Sequence, residues 1–382
     1  MIKIAHFGTF DVDNYGDLLF PHIAEYRLPH YKWEHVSPTN NITVFKDGMP
    51  IIPFECAREK QFDCILIGGG NILHLNHNQN TVYNKIEGFA YADLWVGAAK
   101  IAMEQKIPYI FNAPGVSRNF VDYLHKRIAL ATFKNSNYIA LRERISVEMA
   151  ESISTIKTKF NWSANVVPDT AFDIDKMWPL DIYKSTEYIS VNLNERYHKP
   201  IDDTAENLDE ISKELKMPIK LIIIGNCHGD YEFTKKVSNR MQAEHQVVES
   251  DSLKKVAHLI GNSNYFFGSS MHGFITALSY NVPAFLILNK TPLHKFTGLL
   301  EITEIDDKVI CESFKDVRNV LNFPAILDIE VRKKIQSDLD KHWRKIDHII
   351  KNEKIVGVSK TVHNFHKLLK FQLKYNRLRN WI

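Results

Sequence analysis

The sequence is poor in cysteine and has none of the cysteine spacings that mark common metal or redox sites. Four cysteines occur in 382 residues, and no two of them form a Cys-x-x-Cys pair, which argues against a zinc ribbon or a thioredoxin-like centre. His74 and His77 have the spacing of a metal-binding pair, but no carboxylate stands near them in the sequence, and we expect no metal site. So few thiols favour a reduced, cytoplasmic protein.

Long apolar runs and a strong charge of one sign are also lacking. No stretch of about 18 apolar residues occurs, so we expect no membrane-spanning segment. The N-terminus enters a strand pattern at Ile2 without an apolar leader and cleavage site, so we expect no signal peptide. The formal net charge is only +3, which gives no reason to expect a nucleic-acid partner.

The sequence does contain short apolar runs that alternate with helical patterns. Apolar residues make up 45% of the chain, enough for a large core. Buried strands that alternate with helices predict parallel sheets with helices on both faces. The predicted strands are Ile2–Phe7, Cys64–Ile67, Tyr109–Asn112, Tyr138–Leu141, Asn165–Val167, Tyr188–Leu193, Lys220–Ile224, Tyr265–Phe267 and Ala284–Leu288, and the clearest helical patterns are Phe89–Gln105, Asp122–Phe133, Asp203–Lys216 and Ile326–Ile350.

The alternation lapses around Asp173–Lys184, and we place a domain boundary there. The sequence therefore predicts an α/β protein with two Rossmann-like domains facing a cleft, residues 1–178 and 179–325. Residues 326–382 are predicted to form C-terminal helices with a basic amphipathic tail. In sheets of this kind ligands bind beyond the carboxyl ends of the strands, so the loops that follow strands are the candidate site.

The loop after the first strand holds Asn14, Gly16 and Asp17. These residues suit a helix cap and a tight turn, and taken alone they favour that structural role. The alternative is that Asn14 and the neighbouring amides face the cleft. The glycine spacing does not fit Gly-x-Gly-x-x-Gly, so a dinucleotide fingerprint is not indicated.

The loop after the Cys64–Ile67 strand contains Gly69, Gly70 and Asn71 in a run of three glycines. Such a run lets a ligand approach the backbone, and its amides can bind an anion. A plain tight turn explains it equally well. No Gly-Lys-Ser/Thr follows, so the loop does not resemble a nucleoside-triphosphate P-loop.

Two further strand ends carry ionisable side chains. Arg142 could grip a carboxylate or phosphate with two contacts, or it could form an ion pair with a neighbouring acid. His228 and Asp230 follow a strand of the second half and could bind a ligand or cap the next helix. Their position favours a site.

The segment that contains Ser269, Ser270, His272 and Gly273 gives the sharpest signal. A strand ends, two hydroxyls follow, and a histidine enters a helix whose N-terminus can attract an anion. His272 titrates near neutrality and can give or take a proton. A structural histidine is the alternative, but the position favours function. Gly-x-Ser-x-Gly is absent, so a serine hydrolase is not indicated.

Together these segments resemble the polysaccharide pyruvyl transferase family. The matching features lie in order across residues 4–305. They are Asn14-Tyr-Gly-Asp17, Asp63 leading to Gly68-Gly-Gly70, Leu141-Arg142-Glu143 with Ser146, Val167-Pro168-Asp169-Thr-Ala-Phe172, and Ser270-Met271-His272-Gly-Phe with Val282-Pro283. Many family members carry Arg-x-His where this sequence has Ser270-Met271-His272. Lys295 resembles a lysine that members place after this block.

The resemblance implies a fold like that of two-domain GT-B glycosyltransferases and phosphoenolpyruvate as the donor, with no other cofactor. The implied acceptor is a sugar of a surface polysaccharide or its lipid-linked precursor. Ketal formation requires C3 of the donor to be protonated, two hydroxyls to be deprotonated and phosphate to leave. The roles assigned on this basis are proton transfer or phosphate binding for His272, donor binding for Arg142, His228, Ser269, Ser270, Gly273 and Lys295, and acceptor binding for Asn14, Gly16, Asp17, Gly69, Gly70 and Asn71.

Two other classes of function stay open. A glycosyltransferase of the same architecture would use a nucleotide sugar instead of phosphoenolpyruvate. A non-enzymatic sugar-binding protein would have no need for His272 or Arg142 at strand ends.

The C-terminal segment 351–382 is basic, with eight Lys/Arg and one acid. A basic amphipathic helix is drawn to an anionic membrane surface by charge and by apolar burial, so we predict peripheral docking at the inner face of the membrane. Packing on the protein's own core or on a second subunit is the alternative. The predicted apolar face is Phe365, Leu368, Phe371, Tyr375, Leu378 and Ile382, and the basic face beside it is Lys367, Lys370, Lys374 and Arg377, with Trp381 near the end.

Overall fold

The computed structural model describes residues 1–120, 122–155, 163–180, 187–198, 200–226, 229–288, 294–354 and 357–379. They form two parallel β-sheets, one from each half of the chain, with helices packed on both faces. Parallel neighbours require such crossover connections, because each strand must be entered from the same end. The predicted α/β class with two Rossmann-like sheets is confirmed.

The first sheet has seven strands in the spatial order β3-β2-β1-β4-β5-β6-β7. The order changes direction between β1 and β4, and this switch point is where a crevice opens beyond the strand ends. The strands are β1 (Lys3–Phe7), β2 (Lys32–Ser37), β3 (Ile51–Pro53), β4 (Cys64–Ile67), β5 (Tyr109–Phe111), β6 (Tyr138–Leu141) and β7 (Asn165–Val166).

The second sheet has six strands in the order β10-β9-β8-β11-β12-β13. Its switch point lies between β8 and β11, so the loops after these two strands open towards a crevice as well. The strands are β8 (Ile189–Asn192), β9 (Ile219–Ile223), β10 (His245–Glu249), β11 (Tyr265–Gly268), β12 (Ala284–Ile287) and β13 (Ile310–Cys311).

The helices fill the crossovers and the C-terminus. Short 3-10 turns and one π-helical stretch, Asp93–Gly97, complete the described elements. The α-helices are α1 (Tyr15–Arg27), α2 (Phe54–Ala57), α3 (Ala90–Ala92), α4 (Ala98–Gln105), α5 (Tyr123–Lys134), α6 (Arg144–Glu151), α7 (Ile174–Met177), α8 (Ile201–Leu215), α9 (Asp230–Ser238), α10 (Leu253–Gly261), α11 (Met271–Ser279), α12 (His294–Thr303), α13 (Phe314–Val320), α14 (Ile329–Asn352), α15 (Lys360–His363) and α16 (Phe365–Arg379).

All nine predicted strands are present, with ends that differ from the prediction by at most one residue. Four strands were missed, and they lie at or next to a sheet edge: β2, β3, β10 and β13. β2 and β10 include charged and polar residues because parts of them face solvent, and β3 and β13 have only three and two residues. The boundary after residue 178 falls between the two sheets and stays a prediction.

The long helix α14 joins the two halves. Near its start, Arg332 donates to the carbonyl oxygens of Leu278 and Ser279 in the second half, at 2.6 Å each. Near its end, Asp347 accepts a 2.6 Å hydrogen bond from the Tyr31 hydroxyl in the first half. Its apolar side packs into a core cluster shared by both sheets, which fixes the sheets relative to each other.

A second link crosses at the carboxyl ends of the strands. The backbone N–H of Tyr15 donates to the carbonyl of Ile224 at 3.0 Å. Asp47 accepts hydrogen bonds from the backbone of Leu253 at 2.7 Å and from the Ser252 hydroxyl at 2.8 Å, so a first-half carboxylate caps the N-terminus of α10. The loops that follow the two switch points are thereby held face to face.

The basic tail lies partly against the first half of the chain. Phe365 and Leu369 are buried, 1% and 0% exposed, in the core cluster that covers one face of the first sheet. Phe371, predicted to share a face with Phe365, is 64% exposed instead. Of the predicted apolar face, Phe365 and Leu368 pack on the core but Phe371 does not, because the helix turns Leu369 and Leu373 inward instead. The side chains of the other predicted members, Tyr375, Leu378 and Ile382, lie outside the part that the structure describes. Among the described helices, none carries the long uncharged stretch that a bilayer crossing requires.

Candidate active site

A cavity of about 190 Å³ lies where the loops after the two switch points meet. It is lined by residues at or after the ends of β1, β4, β6, β8, β9 and β11, by Tyr91 of α3 and by Lys295 at the start of α12. The structure thus brings together side chains from eight separate segments of the sequence. The predicted site residues that line this cavity are Asn14, Asp17, Gly70, Asn71, Arg142, Ser269, Ser270, His272 and Lys295.

His272 lies in the first turn of α11. Ser270 caps this helix by accepting a hydrogen bond from the Gly273 N–H at 3.1 Å. The imidazole is only 8% exposed, with the Phe20 ring packed edge-on at 5.5 Å between ring centroids. A Cβ atom at Gly16 would lie 1.8 Å from His272 Nδ1, so only glycine at position 16 leaves room for the ring.

Arg142 is buried at the end of β6 and held by two carboxylates. Its Nε donates to Glu143 at 2.8 Å, and its Nη1 lies 3.6 Å from Asp169 Oδ2. Glu143 also accepts a hydrogen bond from the Ser146 hydroxyl. Burial would lower the pKa of Arg142, but Glu143 and Asp169 raise it, so the guanidinium stays charged and has a fixed direction.

Asp169 lies between the two candidate catalytic groups. Its Oδ2 is 3.6 Å from His272 Nε2 and 3.6 Å from Arg142 Nη1. Burial would raise the pKa of Asp169, but His272 and Arg142 outweigh burial and lower it. An ionised, fully buried carboxylate therefore neutralises part of the positive charge at this end of the cavity.

Several buried polar atoms at the site lack a partner. Arg142 Nη2, His272 Nε2, Asn71 Oδ1 and Asn192 Nδ2 make no hydrogen bond among the described residues. Leaving such a group unsatisfied costs roughly 1–3 kcal/mol, so native proteins seldom retain several together without a ligand to satisfy them. The cluster therefore has the character of a binding site for a polar, anionic ligand.

Lys295 and Asp17 add charges of opposite sign to the same cavity. Burial, with Arg142 next in importance, lowers the pKa of Lys295 to about 8. Burial raises the pKa of Asp17, while His272, Thr9, Arg142 and Lys295 act in the opposite direction. With Arg196, which also lines the cavity, three basic side chains, Arg142, Arg196 and Lys295, are available for an anionic ligand.

Three predicted residues do not line the cavity. Gly16 packs against His272, and Gly69 packs against Phe20, where a Cβ would lie 2.2 Å from the ring. Gly273 supplies the N–H that Ser270 caps. These glycines therefore support the residues that line the cavity and do not themselves line it. His228 lies outside the described residues.

Sequence reasoning did not assign several residues that the structure places here. Asp169 belongs to the Val167–Asp169 motif quoted for the resemblance, and that motif was the signal available for it. Others follow strand ends without a recognisable motif. The unassigned lining residues include Thr9, Tyr91, Asn192, Asn194, Arg196 and Tyr197, whereas Asp230, a sequence candidate for ligand binding or helix capping, does line the cavity.

His74 and His77 do not form a metal site with other described residues. The described part of the chain contains no group of three or more His, Cys, Asp or Glu side chains arranged to hold a metal ion. His74 packs against the Tyr91 ring at 4.2 Å, and its Nδ1 accepts a hydrogen bond from the backbone of Asn76.

The chain belongs to the polysaccharide pyruvyl transferase family, whose sequence profile matches residues 7–291. The protein is therefore a transferase of polysaccharide synthesis. The matched region contains every lining residue named above except Lys295, which lies just beyond it. Comparison with curated protein sequences gave no significant match.

Solved structures support the two-domain architecture. S. aureus MnaA, determined with UDP, superposes with a TM-score of 0.56 at 12% identity, covering 94% of this chain and 100% of its own. A putative UDP-N-acetylglucosamine 2-epimerase from Listeria monocytogenes gives 0.51 at 11% identity, covering 98% and 96%. These similarities show the fold alone, and the fold is GT-B-like, as the sequence predicted.

The pKa of Lys295 leads to a prediction about anion binding. The ammonium is present below its pKa of about 8 and is lost as the pH rises through that value. Sulfate keeps its charge over this range, so its affinity should fall when the pH is raised from about 7 to about 9.5, by roughly tenfold if one charge-assisted hydrogen bond is lost. Isothermal titration calorimetry measures this change.

Lys295→Met should bind sulfate weakly at both pH values, whereas Lys254→Met, at an exposed lysine of the second half, should behave like the wild type. A wild-type affinity that stays constant over the range would show that Lys295 does not contact the anion. The same conclusion would follow if the sulfate affinity of Lys295→Met fell between the two pH values as that of the wild type does.

Proposed function

We propose that the protein transfers the pyruvyl group of phosphoenolpyruvate to two hydroxyls of a sugar, forming a pyruvate ketal on a surface polysaccharide or its lipid-linked precursor. Family membership supports the transferase class and the polysaccharide pathway. The observation that carries the donor assignment is the cluster of unpaired buried donors, Arg142 Nη2 and His272 Nε2, in a cavity that also holds Lys295.

Phosphoenolpyruvate offers the hydrogen-bond acceptors that this cluster of donors lacks. Its carboxylate is a planar anion and its phosphate presents three oxygens, and a guanidinium with one free nitrogen suits either group. Lys295 supplies a compact second charge, and Ser269 and Ser270 offer hydroxyls beside the start of α11. The serine at position 270, where many family members carry arginine, leaves Arg142, Lys295 and Arg196 as the basic side chains available to the donor.

His272 is placed for proton transfer. Its Nε2 faces Asp169 Oδ2 at 3.6 Å, a distance too long for a hydrogen bond of ordinary geometry. From this position His272 can donate a proton to C3 of the donor or to the departing phosphate. The proposal includes no metal and no cofactor other than the donor substrate.

His272→Ala should lower pyruvyl transfer by about two to four powers of ten, the usual loss when a general acid is removed. The assay follows the mass gain of lipid-linked oligosaccharides incubated with phosphoenolpyruvate, and a melting curve checks the fold. Arg142→Ala should mainly weaken donor binding.

Arg144→Ala is the matched control, because Arg144 is exposed and pairs with Glu301 at 2.7 Å. It should leave transfer and donor binding unchanged. Near-normal turnover in folded His272→Ala would make His272 structural. An Arg142→Ala variant that binds the donor normally and melts at a lower temperature would make Arg142 an ion-pair residue.

The proposal also includes docking of the tail on an anionic membrane, where a lipid-linked acceptor would be found. Lys367, Lys370 and Lys374 are exposed on α16, together with Phe371. At 100° per residue these four positions fall on one side of the helix, opposite the buried Phe365 and Leu369. The outward side thus keeps the basic and apolar character that an interfacial helix requires.

Replacing Lys367, Lys370 and Lys374 by Glu should abolish co-sedimentation with phosphatidylserine vesicles at low salt, since each basic residue contributes about 1 kcal/mol at such a surface. The same triple change at Lys213, Lys236 and Lys254, which are exposed in the second half, should have a much smaller effect. Equal binding by the two variants, or no binding by the wild type, would show that the tail only packs on the protein.

A further inference from the structure

One wall of the cavity differs in chemistry from the cationic end. Asn192, Asn194 and Asp230 line it from the second half of the chain, and they are 1%, 7% and 6% exposed. Asn192 ends β8, Asn194 lies two residues further on, and Asp230 opens α9. Two amides and a carboxylate therefore project from the end of one strand and from the helix that follows the next.

The side chain of Asn194 is fixed by its own hydrogen bonds. Its Oδ1 accepts from the Arg196 N–H at 2.9 Å, so its Nδ2 is the atom that donates to Asp230 Oδ1 at 3.1 Å. The backbone N–H of Asn194 donates to His198 Nδ1 at 2.8 Å. Because the orientation of the Asn194 amide is fixed, Asn194 holds the Asp230 carboxylate in place.

Asp230 lies in the first turn of α9, where a carboxylate is favourable, but its side chain does not cap the helix. Gly229 stands at the cap position of α9, and the helix has no side-chain cap. Asn192 Nδ2, buried beside the same cavity, lies close enough to Asp230 to lower its pKa, but it makes no hydrogen bond of ordinary geometry among the described residues. An amide donor beside a carboxylate acceptor is an arrangement that a hydroxyl group can join, because a hydroxyl both donates and accepts.

The protonation of Asp230 fits the same chemistry. Burial raises its pKa to about 7, and Asn192 and Arg196 offset only part of this effect. A carboxylate with a pKa near neutrality is a far better proton acceptor than an exposed one. An acid at this wall would repel the phosphate and carboxylate of an anionic donor, which separates it from the Arg142 and Lys295 end.

We propose that Asn192, Asn194 and Asp230 bind the hydroxyl pair of the acceptor sugar and that Asp230 removes the proton of the attacking hydroxyl. This inference rests on the proposed function and names the acceptor subsite within it. It places acceptor contacts on the second half of the chain, whereas the sequence assigned the acceptor to loops of the first half.

The first hydroxyl gives its proton to Asp230 as its oxygen bonds to C2 of the donor, and His272 gives a proton to C3, which becomes a methyl group. The bond between C2 and the phosphate oxygen then breaks, the second hydroxyl oxygen bonds to C2, and the proton of that hydroxyl replaces the one that His272 gave. The proton held by Asp230 leaves with inorganic phosphate, so Asp230 ends ionised as it began.

Asp230→Asn keeps the size and hydrogen-bonding capacity of the side chain but removes the base. Pyruvyl transfer to the lipid-linked oligosaccharides should fall by about two to four powers of ten, while phosphoenolpyruvate should raise the melting temperature as in the wild type. The wild-type rate should fall about tenfold per pH unit below about pH 7, as Asp230 becomes protonated, and the residual Asp230→Asn rate should lack this dependence.

Asn192→Ala should reduce acceptor binding, seen as a higher KM for the oligosaccharide and a weaker saturation-transfer signal from methyl glucoside, galactoside or mannoside with the donor present. Asp203→Asn, at an exposed acid on α8, should change neither property. Normal transfer by Asp230→Asn would overturn the inference. So would the absence of a saturation-transfer signal from all three glycosides in the presence of the wild-type protein. Failure of wild-type protein to bind phosphoenolpyruvate would instead overturn the proposed function.

Discussion

The site is organised around one buried carboxylate, Asp169, which lies 3.6 Å from both Arg142 and His272. A guanidinium buried as deeply as that of Arg142 is costly without a counter-charge. Asp169, with Glu143 on the other side of Arg142, provides that charge and still leaves Arg142 Nη2 and His272 Nε2 unpaired. These hydrogen-bond donors are thus oriented before an anionic ligand binds. Such preorganisation is what electrostatic catalysis requires.

The cleft also divides its chemistry between its two ends. Basic side chains and hydroxyls lie near the starts of α11 and α12, whereas amides and an acid follow β8 and open α9, with Arg196 close enough to act on both Asp230 and Lys295. A transferase that joins an anionic donor to a neutral diol can use such a division between a donor end and an acceptor end. The link from Asp47 to the start of α10 and the helix α14 hold the two halves of the chain together around this cleft.

The sequence was informative where one physical cause dominated. Buried parallel strands such as Cys64–Ile67 and Ala284–Ile287 are apolar throughout, so they were predicted almost to the residue. The edge strands and the tail were not, because there the burial of each side chain depends on tertiary contacts: Leu369 turns inward and Phe371 outward on the same helix. Motifs located Arg142 and His272, and its place after a strand made Asp230 a candidate. Asn192 belongs to no recognisable motif, and only the fold shows that it shares a cavity with Asp230.

The central claim is that this cavity holds phosphoenolpyruvate, and calorimetric titration of the unmodified protein tests it most directly. Phosphoenolpyruvate should bind with a measurable heat at millimolar concentration or below and should stabilise the fold by about 2.7 kcal/mol at a hundredfold excess over its Kd. UDP-N-acetylglucosamine, titrated under the same conditions, should bind far more weakly. Tight binding of the nucleotide sugar with no detectable binding of phosphoenolpyruvate would contradict the pyruvyl transfer account and favour a glycosyltransferase.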